Sequence, residues 1–97
     1  PLGMVSFTRS GRVLQVNQAV EKILEKPLND LDNLAGLSIY KELMSAHAHR
    51  DRTYVLPNGD KKILQINSTD VFSPLVNENI TIALIEDLTD LRKLEES

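Results

Sequence analysis

The chain has 97 residues, of which 41% are hydrophobic and 26% charged, and its formal net charge is −3. This composition indicates one globular domain and gives no electrostatic attraction to nucleic acid or to an anionic membrane. The sequence contains no cysteine, which excludes disulfides, cysteine-ligated metals and thiol catalysis, and no apolar run approaches the ~20 residues of a membrane span.

The first quarter of the chain predicts a hairpin followed by a helix. Residues 4–8 and 12–16 have β-type composition, and Gly11 lies in the turn between them. Asn17 is a good N-cap because its side-chain oxygen can accept from the free N–H groups of a first helical turn. The apolar spacing of the following residues predicts a helix that ends before Pro27.

The middle of the chain predicts short helices. Residues 28–36 are rich in turn formers and predict one or two helical turns, and Ser38 can cap a longer helix over residues 39–48. Arg50 and Asp51 are expected to end that helix. Its apolar face is formed by Ile39, Tyr40, Leu43, Met44 and His47, which recur at helical spacing.

The last third of the chain predicts three strands and a helix. Residues 52–57 and 61–72 flank Asn58-Gly59, a strong hairpin signal. Residues 79–86 form a third apolar β-type run. Short turns make neighbouring strands antiparallel, so the expected architecture is α+β, with the helices gathered on one face of the sheet.

The final strand continues into the final helix without a glycine or a proline between them. Residues 79–86 are followed by Asp87-Leu88-Thr89-Asp90 and then by helical composition to residue 96. One interpretation is that Asp87 and Thr89 tie the strand to the helix and relay a change in the sheet. The other is that one of them is only an N-cap whose charge suits the helix dipole.

Several landmarks together make the chain resemble a PAS domain over nearly its whole length. They are Gly11 in the first turn, Asn17 after the second strand, Leu34-Ala35-Gly36, Asn58-Gly59-Asp60 and the exit motif Glu86-Asp87-Leu88-Thr89-Asp90. The resemblance implies a five-stranded antiparallel sheet in strand order 2-1-5-4-3, with short helices on one face. It places the PAS domain at residues 1–88 and the start of a C-terminal signalling helix at residues 89–97.

The resemblance also implies a role in sensing or dimerisation within a multidomain signal-transduction protein, most like a sensor histidine kinase. The abrupt ends of the sequence are expected of a piece of such a protein, and a cytoplasmic location is expected. Alternatives are a ligand-free module that pairs subunits and spaces domains, or the PAS domain of a cyclic-dinucleotide enzyme or a transcriptional regulator. No catalytic motif is present, so the domain itself is not expected to be an enzyme.

One interpretation of the residues between the sheet and the helices is a small-molecule pocket. Its candidate lining is Ile39, Leu43, Met44, Tyr54, Leu56, Leu64, Ile66 and Ile82. The alternative is that these side chains fill the core and contact one another, which is the default for a domain of this length. Tyr40 and Tyr54 could offer a hydroxyl to a ligand or lie at the rim of the core.

No cofactor or metal is predicted. His47 is the one candidate haem ligand with a core-facing position, but a lone histidine in an apolar stripe usually packs into a core. A flavin site of the cysteinyl type is excluded because cysteine is absent.

The expected partner is a second copy of the chain. The last strand is apolar on both faces, with Ile80, Ile82 and Leu84 on one and Ala83 and Ile85 on the other, so something beyond the helices must cover the outer face. Leu88, Leu91 and Leu94 could begin a coiled-coil seam, or could fold back onto their own sheet. A homodimer through the outer sheet face, the C-terminal helix or both is therefore expected, with an output domain in the same chain.

Overall fold

The computed structural model describes residues 2–26, 39–45, 50–56 and 58–96. The predictions for residues 28–36, Pro27, Ser38 and His47 lie outside the described residues. The elements in chain order are β1 Gly3–Thr8, β2 Val13–Val16, α1 Gln18–Leu24, α2 Tyr40–Ser45, β3 Arg50–Val55, β4 Lys61–Ser73, β5 Glu78–Asp87 and α3 Thr89–Glu96.

The strands form one antiparallel sheet of five strands in the order β2-β1-β5-β4-β3. The predicted architecture and strand order are therefore confirmed. β5 lies at the centre and pairs with β1 and β4, while β2 and β3 form the two edges. The backbone hydrogen bonds of β5 therefore run to a neighbouring strand on each side.

The boundaries of β3 differ from the prediction. The expected helix end at Arg50 and Asp51 is wrong, since both residues belong to β3 and pair with Ile66 and Gln65 of β4. The prediction began the strand at Arg52 because two adjacent charged residues read as a break. An edge strand tolerates such residues, because one side of its backbone faces solvent.

Local sequence signals account for the turn and the cap. Gly59 has a φ of 92°, which favours glycine, and the backbone N–H of Asp60 donates to the Asn58 side chain at 2.9 Å. Asn17 caps α1 as predicted, since its Oδ1 accepts from the backbone N–H of Val20 at 3.3 Å. The same oxygen accepts from the N–H of Met4 at 3.0 Å, so this residue also fastens β1 to the helix.

The core lies between one face of the sheet and helices α1 and α2, and we call this face the inner face. Strand alternation turns Thr81, Ala83 and Ile85 of β5 inward, and all three are buried. The buried apolar side chains are Val5, Phe7, Val20, Ile23, Leu24, Ile39, Leu43, Tyr54, Leu56, Leu64, Ile66, Ala83 and Ile85. Helix α1 packs so closely that a Cβ on Gly3 would lie 3.1 Å from side-chain atoms of Val20 and Ile23.

Candidate functional site

The junction between β5 and α3 is held by a hydrogen-bonded network. Asp87 Oδ1 accepts from the backbone N–H of Thr89 at 2.9 Å and from the Thr89 hydroxyl at 2.5 Å. The Thr89 hydroxyl in turn accepts from the backbone N–H of Ile63 in β4 at 3.0 Å, and the N–H of Leu88 donates to the carbonyl of Ile63 at 2.8 Å. The two predicted relay residues therefore contact each other and fix the start of α3 to the neighbouring strand.

Lys62 joins this junction to α1. Its ammonium donates to the carbonyls of Ile23 at 2.6 Å and Lys22 at 3.3 Å, at the C-terminal end of α1, where a cation satisfies free carbonyls and suits the helix dipole. The same ammonium lies 3.1 Å from the Glu25 carboxylate and 3.8 Å from that of Asp87. The first helix, the fourth strand and the exit motif thus meet at one side chain, which the sequence analysis did not identify.

Arg92 holds α3 against the edge strand β3. Its Nε donates to Asp51 Oδ2 at 2.7 Å and its Nη2 to Asp51 Oδ1 at 3.4 Å, while Nη1 donates to both Glu95 oxygens. The hydrogen bonds to Asp51 and then to Glu95 raise the pKa of Arg92 above its usual value. This bidentate pair was not predicted, because its partners are 41 residues apart in sequence.

A cavity of about 180 Å³ lies beside α2 and the β3–β4 hairpin. Its described lining is Ile39, Arg52, Thr53, Tyr54, Val55, Leu64 and Ile66. Four of the predicted pocket residues, Ile39, Tyr54, Leu64 and Ile66, are among them. Because β3 is an edge strand and Thr53 and Val55 are exposed, the cavity reaches the edge of the sheet.

The other predicted pocket residues lie elsewhere. Leu43 and Leu56 are buried in the core, and Met44 lines a separate cavity with Arg9, Asp70 and Thr81. The prediction for Ile82 is wrong: it pairs with Ser6 and Thr69 on the outer face of the sheet, while the core lies on the inner face. β5 is apolar on both sides, so its composition did not indicate which side the helices cover.

Arg52, Thr53 and Val55 line the cavity without having been predicted, and Arg52 is the charged one of the three. It pairs with Leu64 on the inner face, and its Nε is buried without a hydrogen-bond partner. Strand alternation could have found it, because Arg52 stands two residues before Tyr54, which was assigned to the pocket. Among the described residues, Arg52 Nε is the one buried side-chain nitrogen or oxygen without a hydrogen-bond partner.

The two tyrosines have different environments. The Tyr40 hydroxyl donates to the carbonyl of Arg9 at 2.6 Å and anchors α2 to the β1–β2 turn. The Tyr54 hydroxyl has no hydrogen-bond partner among the residues that the structure describes, and burial raises the pKa of Tyr54. Only Tyr54 lines the cavity beside Arg52.

The outer face of the sheet and one side of α3 present apolar side chains to solvent. Leu84 and Val71 are each 37% exposed, and Ile80 and Ile82 are half-buried. In α3, Leu91 is 49% exposed, whereas Leu88 at the junction is buried. Within the described ranges, no helix is long and apolar enough to cross a membrane, and no group of three or more His, Asp or Glu side chains could hold a metal ion.

The structure is similar to solved structures of PAS domains. A PAS domain from Desulfitobacterium hafniense is 23% identical with a TM-score of 0.62, and the match covers 89% of this chain and 92% of that one. A sensory box histidine kinase/response regulator from Burkholderia thailandensis is 16% identical with a TM-score of 0.63, covering 98% of this chain and 82% of that one. The PAS domain of an HTR-like protein from Haloarcula marismortui is 13% identical with a TM-score of 0.61, covering 90% and 81%.

These likenesses define the fold. No family model and no curated protein matches the sequence. The chain has the PAS fold, with the sheet order that the resemblance implied. At these identities the shared architecture does not carry the neighbours' activities to this chain, so its function is argued from its own residues.

Proposed function

We propose that this chain is a sensory and dimerisation domain of a multidomain signal-transduction protein, a cytoplasmic part of a sensor histidine kinase. The domain itself is not catalytic. The state of the cavity beside β3 and β4 changes the sheet, and α3 carries that change to an output domain. One structural neighbour is named as a sensory box histidine kinase, which supports this choice of parent.

The observation that carries the proposal is the hydrogen-bonded junction of Asp87, Thr89 and Ile63. A helix joined only by a flexible linker would not respond to the sheet. Here the first turn of α3 is bonded to β4, and its Arg92 is bonded to β3; both strands line the cavity. Strands β3 and β4 therefore both contact α3 directly.

Asp51 and Arg52 give the relay a short path. Adjacent residues of a strand point to opposite faces, so Arg52 lines the inner cavity while Asp51 holds Arg92 on the other side. A shift of β3 by a ligand at Arg52 moves the carboxylate that holds α3. This path supplements the relay through Asp87 and Thr89.

Dimerisation is supported by the exposed apolar side chains of the outer face and of α3. In a single chain Leu84 and Leu91 are exposed to water. Burying them against a second copy contributes about 25 cal/mol of association free energy per Å² of apolar surface. We assign the contact to the outer sheet face together with α3, which would extend into a parallel coiled coil from residue 89 onward. The leucines of α3 would then form the first turn of the seam.

Sedimentation of the purified chain over a range of concentrations tests dimerisation. We expect a reversible dimer that Leu84→Asp weakens strongly. The matched control is Leu75→Asp, because Leu75 is 96% exposed in the β4–β5 turn and lies away from the sheet face. A monomer at every concentration, or equal effects of the two variants, would refute this part of the proposal.

Native mass spectrometry separates sensing from the alternative of a ligand-free pairing module. A small molecule that co-purifies with the chain, and whose removal changes hydrogen exchange in α3, is the result expected of a sensor. An empty dimer in which added ligands never alter α3 exchange would favour the pairing module. The cavity and its unpartnered Arg52 Nε favour the sensor.

A further inference from the structure

Arg52 is placed where an anion would satisfy it. Its Nε is buried and has no hydrogen-bond partner, and the side chain lines a cavity of about 180 Å³. Buried charged groups in proteins are normally paired, because an unpaired one loses hydration without compensation. The nearest acidic residue in sequence, Asp51, points to the opposite face of the sheet and is already bonded to Arg92.

The remaining walls of the cavity decide which anion fits. Ile39, Leu64 and Ile66 are apolar and fully buried, so most of the lining suits a hydrocarbon group. A phosphate or a dicarboxylate would bring a second negative charge to a cavity whose described lining holds one cation. A single carboxylate matches the planar guanidinium in charge and geometry.

The volume sets the size of the ligand. A cavity of about 180 Å³ is more than ten times the ~10–15 Å³ that a single water needs, so it has room for a small organic molecule. Tyr54 lines the same cavity, and its hydroxyl is without a hydrogen-bond partner in the described part of the chain. It is therefore available as a second, neutral donor.

We propose that this cavity binds a small monocarboxylate with a short apolar tail, and that Arg52 binds its carboxylate. The inference rests on the sensory function proposed above only for its consequence in α3, while the binding itself can be measured alone. The ligand enters at the edge of the sheet, where Thr53 and Val55 line the cavity and are exposed. Its tail contacts Ile39, which precedes α2, and the apolar side chains of β4.

The test is a titration of the isotope-labelled chain followed by two-dimensional amide NMR. The probes are sodium acetate, isobutyrate and isovalerate, with isovaleramide as the uncharged control of the same shape and sodium phosphate as the anion without a tail. We expect saturable shifts in β3, β4 and α2 that are strongest for isobutyrate or isovalerate. Isovaleramide and phosphate should each bind at least about tenfold more weakly, because neither offers both the charge and the tail.

Two variants assign the binding to Arg52. Arg52→Gln should weaken carboxylate binding by about tenfold or more, since it removes the charge and the fork of donors. Arg12→Gln, at an exposed arginine on the far edge of the sheet, should leave it unchanged. Thermal unfolding of both variants without ligand checks that they remain folded, which is expected because Arg52 loses no partner in the substitution.

The outcomes separate this inference from the sensory proposal. Equal binding of isovalerate and isovaleramide, unchanged binding to Arg52→Gln, or no saturable binding of any of the three carboxylates would overturn the inference. If a neutral molecule then co-purified with the chain, the sensory function would still stand. If carboxylates bound as expected but hydrogen exchange in α3 did not change, the ligand site would stand and the relay would fail.

Discussion

Thr89→Val removes one hydroxyl from the junction between β5 and α3 and preserves its shape. In the native chain this hydroxyl accepts from the backbone N–H of Ile63 at 3.0 Å and donates to Asp87 at 2.5 Å. The valine leaves the Ile63 N–H without that partner in a part-buried position. Asp87 keeps its hydrogen bond from the Thr89 N–H at 2.9 Å, so the loss is concentrated on Ile63.

The expected cost follows from that one donor. A buried donor left without a partner costs about 1–3 kcal/mol, and the partial burial of this one places the loss at about 1–2 kcal/mol. For a domain of this length, each kcal/mol lowers the melting temperature by roughly 4–8 °C, so a decrease of roughly 5–15 °C is expected. Threonine and valine have similar helix propensities, so propensity does not account for a change of this size.

Thermal unfolding and amide hydrogen exchange measure the effect, with Thr69→Val as the matched control. Thr69 is exposed on β4, so its substitution should change the stability by less than about 0.5 kcal/mol. The Ile63 amide should exchange faster in Thr89→Val and retain its protection in Thr89→Ser, which keeps the hydroxyl. If Thr89→Val and Thr69→Val unfold alike and Ile63 protection is unchanged, the junction network does not hold α3 to the sheet.

Three further predictions concern α3 and the cavity. Asp51→Asn and Arg92→Gln should each increase hydrogen exchange in α3, and the effect of the double variant should be smaller than the sum of the two. Because the pair is partly exposed, the effect should shrink at high salt. Additive effects that do not depend on salt would contradict the contact. Arg52→Met should raise the melting temperature of the ligand-free chain by several degrees, because it removes a buried unpartnered donor worth about 1–3 kcal/mol, and a decrease would show that Arg52 has a stabilising partner. Because burial raises the pKa of Tyr54, the folded chain favours the neutral side chain. The contribution of Tyr54 to stability should be fully present below the unfolded tyrosine pKa of about 10 and should be lost as the pH rises through the folded value. Tyr54→Phe should reduce this alkaline loss of stability, measured by unfolding at a series of pH values.

Local signals predicted the features that depend on neighbouring residues. The Asn17 cap involves Val20, three residues away, and the Asn58-Gly59 turn is closed by Asp60. Such contacts are decided within one turn of chain, so residue type and spacing are sufficient to predict them. The start of β3 was misplaced because a charged pair was taken as the end of the preceding helix, and the pairing of these residues with β4 is not a local property.

The candidate site was predicted only in part, because alternation along a strand is a local property and the face that the helices cover is not. Alternation along β3 and β4 correctly grouped Tyr54 with Leu64 and Ile66, and the same rule applied once more would have added Arg52. It failed for Ile82, because both faces of β5 are apolar and alternation does not say which face the helices cover. Only the packing of α1 and α2 on the side of Ala83 and Ile85 decides this.

The sequence by itself determined a single α+β domain with its turns, its capped first helix and a strand that runs directly into a helix. The tertiary structure alone decided which side chains meet: Thr89 with the Ile63 backbone across 26 residues, Lys62 with the end of α1 across 39, and Arg92 with Asp51 across 41. The physical reason is that the period of a strand or helix is fixed by its own backbone. Contacts between distant segments depend instead on strand order and register, which are set by how the whole chain buries its core.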